Sequence, residues 1–264
     1  MRFARIDDTT LHYDLTPGDG VPVVFLNSLG TDLRIWDDVL PELAPGTPAL
    51  RMDKRGHGLS GEGSNGNGAA NMDRLIADAA GLMDHLGLAG ALVCGVSVGG
   101  MIAQGLAAAR PDLVRGLVLC CTGARIGDAE SWAARIDTVQ AGGLSPMADG
   151  ILSRWFSPCF HSERPADLDG YRAMLTRTPA TGYAAVCAVI RDTELSTRSA
   201  ALRLPVHCIA GEDDLATPPD LVHLLADLIP DATIETIPRC AHLPCIEAPC
   251  VVAAAVNAMR VRLS

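Results

Sequence analysis

Six short apolar runs, separated by segments with helical periodicity, place the tightest limit on how this chain folds. The runs cover residues 21–26, 49–52, 91–94, 114–120, 206–210 and 233–237. Because most of them are continuously apolar rather than alternating, they predict strands buried on both faces, as in a parallel sheet. Helical patterns fall between and after these runs, at residues 33–44, 71–87, 99–109, 219–229 and 246–261. This alternation predicts an α/β fold with a mostly parallel central sheet flanked by helices.

Two shorter patterns lie outside this alternation. Residues 2–15 alternate between apolar and polar side chains around Thr9 and Thr10, which predicts an opening hairpin with its turn at the two threonines. Residues 61–71 are rich in glycine and asparagine, and they predict a surface loop that is too short to link domains.

The stretch from residue 123 to residue 196 interrupts the regular alternation. Its pattern is mostly helical, and it contains two of the three tryptophans of the chain. A helical insertion after the sixth strand, with the hairpin counted as two strands, predicts a cap or lid that shapes a substrate pocket. The sequence therefore predicts a core formed by residues 1–122 and 197–264, and a helical cap formed by residues 123–196.

Composition and charge exclude several classes of protein. With 48% hydrophobic residues among 264, the chain has enough apolar material for a large core, which excludes an intrinsically disordered protein. A net charge of −10 argues against a nucleic-acid or anionic-membrane partner, and no apolar stretch reaches the length of about 18 residues that a transmembrane helix needs. Nine cysteines without a Cys-x-x-Cys pair, and a first segment without the apolar run of a signal peptide, predict free thiols in the cytoplasm. The composition and charge are also compatible with a homo-oligomer.

One short motif carries the chemistry. The sequence Gly-Val-Ser-Val-Gly at residues 95–99 follows the strand at 91–94 and opens the helix at 99–109. In this strand–turn–helix context Gly-x-Ser-x-Gly predicts a nucleophile elbow, a strained turn that lifts the hydroxyl of Ser97 above the sheet. The helix N-terminus behind the serine offers free N–H groups to a developing oxyanion. The alternative is an ordinary glycine-rich turn, which this context disfavours.

Ser97 needs a base and an acid, and two later loops supply candidates. Asp213 and Asp214 follow the fifth apolar run, and His242 follows the sixth. The order serine, acid, histidine along the chain is the order found in the α/β-hydrolase fold. The chain resembles the α/β-hydrolase superfamily, whose acid commonly sits in Gly-x-x-Asp, and the resemblance implies Asp214 as the acid. Asp213 remains the alternative because it is one residue away.

The same resemblance implies an oxyanion hole made of two backbone N–H groups. One belongs to Val98, directly after the nucleophile, and the other to the loop after the first buried strand. That loop reads Asn-Ser-Leu-Gly-Thr at residues 27–31, and aligning its first two residues with the His-Gly of many relatives makes Leu29 the second donor. Ser28 is a rival nucleophile by residue type, but it lacks the elbow context.

Several stretches resemble the enol-lactonase family within this superfamily. They are residues 27–37, cap residues 178–185 and 190–193, and residues 216–219 after the acid. The resemblance extends over essentially the whole chain. It implies a serine hydrolase without metal or cofactor that hydrolyses 3-oxoadipate enol-lactone to 3-oxoadipate in the β-ketoadipate pathway of aromatic degradation.

A lactone that carries a free carboxylate requires a positive group near the site. The basic residues of the chain are 20 arginines and the single lysine Lys54, so arginine is the expected partner. Trp132 and Arg135 stand three residues apart in the predicted cap and would share one helix face. We predict that they contact the substrate, with a packing tryptophan and a surface arginine as the alternative.

Other functions would use the same residues. A general carboxylesterase, or a hydrolase of carbon–carbon bonds in ring-cleavage products, would keep the three reactive residues and differ only in the cap. A small-molecule receptor that kept the fold without catalysis is an alternative of another class. A metal site at Cys240, His242 and Cys245 is disfavoured, because zinc ligands usually come in two pairs and no second pair exists. The partner that the family resemblance implies is a small anionic lactone.

Overall fold

Eight strands form one sheet at the centre of the computed structural model, which describes residues 1–63 and 70–264. In chain order the strands are β1 (Arg2–Ile6), β2 (Thr9–Thr16), β3 (Val23–Leu26), β4 (Ala49–Met52), β5 (Ala91–Val96), β6 (Val114–Cys120), β7 (Val206–Gly211) and β8 (Thr233–Ile237). Across the sheet they lie in the order β1-β2-β4-β3-β5-β6-β7-β8. Of the loop predicted at 61–71, residues 64–69 lie outside the described residues.

The sheet is antiparallel at one edge and parallel over the rest. β2 pairs with β1 and with β4 in the antiparallel sense, whereas the five remaining pairs are parallel. Every residue of β3, β4 and β5 is buried, as strands covered on both faces require. The mostly parallel sheet predicted from the apolar runs is confirmed.

Helices cover both faces of the sheet and fill the insertion between β6 and β7. They are α1 (Met72–His85), α2 (Val98–Ala109), α3 (Ala129–Gly142), α4 (Ala148–Trp155), α5 (Pro158–Glu163), α6 (Pro165–Thr176), α7 (Ala180–Asp192), α8 (Ser196–Ala200), α9 (Pro219–Leu228), α10 (Pro244–Glu247) and α11 (Pro249–Leu263). Asn71 and Asp128 cap α1 and α3 by accepting a backbone N–H of the first turn. None of the helices in the described ranges is long and apolar enough to cross a lipid bilayer.

Two predicted helices differ from the structure because of proline. The helical pattern at 33–44 forms two 3₁₀ turns, Leu33–Trp36 and Leu40–Glu42. A continuous α-helix there would need an N–H that Pro41 lacks, and its ring would clash with the preceding turn. The helix predicted at 246–261 is replaced by α10 and α11, because Pro249 cannot continue α10 and starts α11 instead.

The opening hairpin is present, but its turn lies two residues earlier than predicted. Thr9 and Thr10 already belong to β2 and pair with Ile6 and Arg5. The turn is formed by the two preceding aspartates, of which Asp7 adopts a left-handed φ of 49°. Aspartate tolerates this conformation better than threonine, whose branched Cβ opposes it.

The insertion is mostly helical, as predicted. All of residues 121–205 are described, and between β6 and β7 they form helices and turns with no strand. The insertion packs closely on core loops, since a Cβ added to Gly182 of α7 would lie 2.2 Å from the carbonyl oxygen of Gly56. The helical cap after the sixth strand is therefore confirmed, while the division into two units at residues 123 and 196 stays a prediction.

Candidate active site

Ser97 lies in a strained turn between β5 and α2. Its φ of 60° and ψ of −123° lie outside the regions that residues with side chains normally occupy. The Ser97 N–H donates to the Cys120 carbonyl at 3.0 Å. The Ser97 carbonyl accepts from Thr122 Oγ1 at 2.7 Å and from the Met101 N–H at 3.1 Å. Contacts with β6, with the residues after it and with α2 therefore hold the serine in the strained conformation.

Both glycines of the motif are required by close packing. A Cβ on Gly95 would lie 2.4 Å from the carbonyl oxygen of Gly99, and a Cβ on Gly99 would lie 2.1 Å from that of Leu26. Real Cβ atoms essentially never approach so closely, so a larger residue at either position would displace the backbone. The glycines thus allow β3, β5 and α2 to meet at the edge of the sheet where Ser97 lies.

Asp214 and His242 form a buried hydrogen-bonded pair at the same edge. Asp214 follows β7, His242 follows β8, and His242 Nδ1 lies 2.9 Å from Asp214 Oδ2. The Asp213 N–H donates to the Cys240 carbonyl at 2.8 Å, and within the described residues its carboxylate forms no hydrogen bond with His242. The structure therefore brings His242 together with Asp214 and not with Asp213.

Four hydrogen bonds surround the Asp214 carboxylate. Oδ1 accepts from the N–H groups of Ala216 at 2.7 Å and Thr217 at 2.9 Å, and Oδ2 accepts from Thr217 Oγ1 at 2.6 Å as well as from His242. Burial by itself would raise the pKa of Asp214, but the charge of His242 and these hydrogen bonds lower the pKa below its usual value. The carboxylate is therefore ionised at neutral pH.

Thr217 also helps to set the tautomer of His242. Its Oγ1 lies 3.1 Å from His242 Nδ1 and gives its own proton to Asp214, so toward the imidazole it can only accept. Nδ1 therefore carries the imidazole proton, which leaves Nε2 free to accept another. The backbone N–H of His242 donates to the Trp155 carbonyl of the cap at 3.1 Å, which fixes this loop from the opposite side.

Ser97 and His242 line the same cavity, together with Ser28. Ser28 Oγ lies 3.5 Å from His242 Nε2, at the outer limit of hydrogen bonding. The Ser97 hydroxyl forms no hydrogen bond within residues 1–63 and 70–264, so it is free to rotate toward Nε2. Catalytic hydrogen bonds of this kind often tighten only when substrate binds.

The two predicted oxyanion donors belong to the segments that follow β3 and β5. Leu29 belongs to the loop after β3 and lines the cavity, whereas Val98 is the first residue of α2 and is fully buried. Neither N–H donates to an acceptor in the part of the chain that the structure describes. The first N–H groups of a helix have no intrahelical acceptor and are commonly used to bind anions. Both donors are therefore available to a substrate oxygen.

A cavity of about 480 Å³ connects these groups with the cap, a volume typical of a small-molecule site. The core contributes one side of its wall, formed by Ser28, Leu29, Ser97, Ala216, Thr217 and His242. The insertion contributes the larger part, formed by Ile126, Gly127, Asp128, Ser131, Trp132, Ala134, Arg135, Thr138, Met147, Ile151, Arg154, Trp155 and Tyr183.

Two cap arginines reach this cavity without a carboxylate partner. Arg135 and Arg154 line it, and neither forms an ion pair with Asp or Glu within the described ranges. Three other arginines of the insertion do pair with aspartate, namely Arg164, Arg172 and Arg191. Asp128 also lines the cavity, but its two oxygens already accept from the N–H and Oγ of Ser131 at 2.8 and 2.7 Å. The cap wall is therefore able to receive an anion.

Trp132 and Arg135 are adjacent on α3. The guanidinium carbon of Arg135 lies 5.0 Å from the centre of the Trp132 ring, and Trp132 Nε1 donates to the Ile126 carbonyl at 2.7 Å. Both side chains line the cavity. Arg154 was not predicted as a site residue, although it stands next to Trp155 at the end of α4, and a tryptophan near an arginine had singled out Trp132 and Arg135. Thr217 was not predicted either, because a threonine near an acid is too common to be a signal.

No group of three or more His, Cys, Asp or Glu side chains in residues 1–63 and 70–264 is arranged to hold a metal ion. Within the cluster of Cys240, His242 and Cys245, the histidine Nδ1 is bound to Asp214. Burial raises the pKa of both thiols, which opposes formation of the thiolate that metals bind.

Comparison with known proteins agrees with this geometry. A sequence profile described as the α/β hydrolase fold matches residues 21–249. The chain is 31% identical over 258 residues to 3-oxoadipate enol-lactonase 2 of Acinetobacter baylyi, which covers 97% of this chain and 95% of that protein.

Two solved structures extend the comparison. The enol-lactonase of Burkholderia xenovorans LB400 superposes with a TM-score of 0.90 at 33% identity, with 99% of each chain covered. A thermophilic esterase of Thermogutta terrifontis with malate bound superposes with a TM-score of 0.91 at 26% identity, covering 100% of this chain and 99% of that one. The resemblance to enol-lactonases is thereby confirmed, and the chain belongs to the α/β-hydrolase fold family.

Proposed function

We propose that this chain is a serine hydrolase that opens the ring of an anionic lactone, and that its substrate is 3-oxoadipate enol-lactone, hydrolysed to 3-oxoadipate in the β-ketoadipate pathway. One observation carries the proposal. A single cavity holds Ser97 and His242 together with Arg135 and Arg154, which have no carboxylate partner among the described residues. The relatives named as enol-lactonases support the choice of substrate.

The first half of the reaction forms an acyl-enzyme. Ser97 Oγ attacks the lactone carbonyl carbon while His242 Nε2 takes the hydroxyl proton. The carbonyl oxygen becomes an oxyanion that accepts hydrogen bonds from the N–H groups of Leu29 and Val98. Collapse of this intermediate breaks the ring C–O bond, and the departing enol oxygen takes the proton from His242. The leaving group stays attached through the carbon chain of the substrate, and the enol tautomerises to a ketone.

The second half releases the acid. His242 Nε2 takes a proton from water, and the water oxygen attacks the acyl carbon. A second oxyanion forms at the same two N–H groups, and its collapse breaks the bond to Ser97 Oγ, which recovers the proton. Asp214 stabilises the imidazolium in both halves, because its lowered pKa keeps it ionised.

The cap arginines supply the selectivity in this proposal. The substrate carries a carboxylate apart from the reacting ester, and a guanidinium pairs with a carboxylate through two parallel hydrogen bonds. Arg135 is held by its contact with Trp132, while Arg154 is exposed at the end of α4. Arg135 therefore offers the more fixed partner, and Arg154 adds positive potential at the cavity wall.

The test compares two substrates and two serine variants. We expect enzymatically generated enol-lactone to be hydrolysed with a much higher kcat/KM than p-nitrophenyl acetate, and Ser97→Ala to lose activity on both. Ser28→Ala is the matched control, because this serine also lies near His242 Nε2 but outside the elbow. A kcat/KM no higher for the lactone than for the simple ester refutes the substrate assignment. Loss of activity in Ser28→Ala, with activity retained in Ser97→Ala, refutes the nucleophile.

A general carboxylesterase is the second candidate, since it would use the same residues on a neutral ester. The similarity to an esterase of Thermogutta terrifontis favours it, as do the apolar side chains Ile126, Met147 and Ile151 in the cavity wall. The malate in that structure shows only that the relative binds a dicarboxylate, but it agrees with an anionic ligand here. The two-substrate comparison above separates the candidates.

A further inference from the structure

Lys54, the single lysine of the chain, is buried beneath the loop that follows β3. Its Nζ lies 2.5 Å from the Ser28 carbonyl oxygen and 3.3 Å from the Thr31 carbonyl oxygen. It forms no ion pair with a carboxylate in the part of the chain that the structure describes. Burying an amine is costly unless its donors are used, and here the acceptors are two carbonyls of one loop.

The Ser28 carbonyl belongs to the same peptide unit as the Leu29 N–H. A trans peptide is planar, so its C=O and N–H point in opposite directions and cannot turn independently. Fixing the Ser28 oxygen on the Lys54 side therefore fixes the direction of the Leu29 N–H on the other side. Leu29 lines the cavity that contains Ser97, and its N–H has no acceptor within the described residues.

Three donors meet at this carbonyl oxygen. Besides Lys54, Thr31 donates to it from Oγ1 at 2.9 Å and from its N–H at 3.4 Å. Other carbonyls of the loop are less strongly held: that of Gly30 accepts from Thr178 Oγ1 at 3.4 Å. A donor on the oxygen of an amide also polarises the amide, which makes its N–H a stronger donor. An amine that carries a positive charge does so more strongly than a neutral group.

We propose that Lys54 is a positioning residue for the oxyanion site: by binding the Ser28 carbonyl from below, it orients and polarises the peptide whose N–H, that of Leu29, receives the substrate oxygen in the transition state. The inference rests on the proposed function, because it needs an ester whose carbonyl oxygen becomes negative. Lys54 itself does not touch the substrate.

Lys54 can donate hydrogen bonds to the two loop carbonyls in either protonation state of its amine. Burial lowers the pKa of Lys54 to about 7, while the nearby carboxylates of Asp53 and Asp32 oppose the change. An ammonium has three N–H donors and a neutral amine has two, and two carbonyl acceptors are present. The orientation of the peptide is therefore kept across neutral pH, and the polarisation is stronger in the charged form.

The test measures kcat and KM with p-nitrophenyl acetate, normalised to active sites by the initial burst of p-nitrophenol. Lys54→Met keeps the length and removes the donors, and we expect kcat to fall about ten- to one hundredfold with KM little changed, somewhat less than the loss of a whole oxyanion donor. Thr31→Val removes one weaker donor from the same carbonyl, and kcat should fall about two- to fivefold. Thr178→Val is the matched control, because it removes a bond to the neighbouring Gly30 carbonyl, and kcat should stay the same.

A second readout does not depend on turnover. In Lys54→Met the amide proton of Leu29 should shift upfield in the nuclear magnetic resonance spectrum, because its peptide is less polarised. Thr31→Val keeps the inference testable if Lys54→Met does not fold. A lower melting temperature with unchanged kcat and an unchanged Leu29 amide signal in either variant that folds overturns the proposal. If the wild type shows no esterase activity that Ser97→Ala removes, the proposed function fails, and the Leu29 signal still decides the positioning role.

Discussion

Polar groups on the core side of the cavity and polar groups on its cap side differ in whether they have partners within the protein. On the core side Asp214 accepts four hydrogen bonds, and the Ser28 carbonyl accepts three. On the cap side Arg135 and Arg154 have no carboxylate partner within the described ranges. A group with all its hydrogen bonds made is fixed in position, whereas a guanidinium beside a cavity that has no carboxylate partner is available to an anionic ligand.

The difference between the two sides of the cavity corresponds to two separate requirements of an enzyme. Stabilising a transition state requires donors and charges that are held in place before the substrate arrives. Recognising one substrate among many esters requires groups whose best partner is the substrate itself. Under the proposed function, the core provides chemistry that any ester could use, and the cap decides which ester is used.

Replacing Asp214 should lower the activity of the enzyme on every substrate. Asp214→Asn should lower kcat about 10³- to 10⁴-fold for the lactone and for p-nitrophenyl acetate alike, because the amide no longer stabilises the imidazolium and favours the wrong tautomer. Asp213→Asn is the matched control and should change kcat less than about twofold, since its side chain is not bonded to His242. The measurement is steady-state kinetics on both variants. A larger loss in Asp213→Asn would reverse the assignment of the acid.

Replacing a cap arginine should affect only the anionic substrate. Arg135→Ala should raise KM for the enol-lactone about ten- to one hundredfold and leave KM for p-nitrophenyl acetate nearly unchanged, as expected for the loss of a hydrogen bond to a charged group. Arg154→Ala should act in the same direction with a smaller effect, because this side chain is exposed.

Arg172→Ala provides the matched control for the arginines. It removes a cap arginine that pairs with Asp149 at the surface, so KM should stay the same for both substrates. Equal changes in KM for the lactone and the neutral ester in Arg135→Ala would contradict the division between core and cap.

Adding a methyl group where the cap meets the core should lower stability. In Gly182→Ala the Cβ would lie 2.2 Å from the Gly56 carbonyl oxygen, and we expect the free energy of unfolding to fall by about 1–3 kcal/mol. Gly170→Ala is the matched control on α6, where a Cβ meets nothing within 4 Å. It should raise the free energy of unfolding by up to about 1 kcal/mol, because alanine favours a helix interior. Urea unfolding measures the free energy of unfolding of both variants. The same change in Gly182→Ala and in Gly170→Ala would show that the backbone around Gly182 and Gly56 adapts to the added methyl group.

The sequence was most informative where the pattern is local. The mostly apolar runs predicted β3 to β8, because strands covered on both faces carry few polar residues. The edge strand β8 is the exception, since it contains two threonines and a glutamate and most of it is not buried. The spacing of Gly95 and Gly99 predicted the turn at Ser97, because the motif is recognisable within five residues. The contact that requires Gly99, with the carbonyl of Leu26 in β3, is visible only in the structure. Local pattern was not sufficient at 33–44, where periodicity suggested one helix and Pro41 prevented it.

Local sequence pattern was also not sufficient to predict every residue of the site. The residue types and their order along the chain pointed to Ser97, His242 and an acid, and the resemblance to Gly-x-x-Asp implied Asp214 with Asp213 as the alternative. Residue type alone did not choose between them, because adjacent residues on a loop point in different directions that only the fold sets. Arg154 was missed because an arginine in a helical cap is usually a surface residue. Its position at the cavity depends on how the insertion packs on the core.

What the sequence determined by itself is the succession of strands and helices and the set of groups that can do chemistry, because periodicity and glycine spacing act over a few residues. What the tertiary structure decided is which of these groups meet. His242 pairs with an acid 28 residues away, and Lys54 holds the carbonyl of a residue 26 positions earlier. Each pairing depends on parallel strands whose carboxyl ends converge at one edge of the sheet, and such long-range contacts leave no periodic signal in the chain.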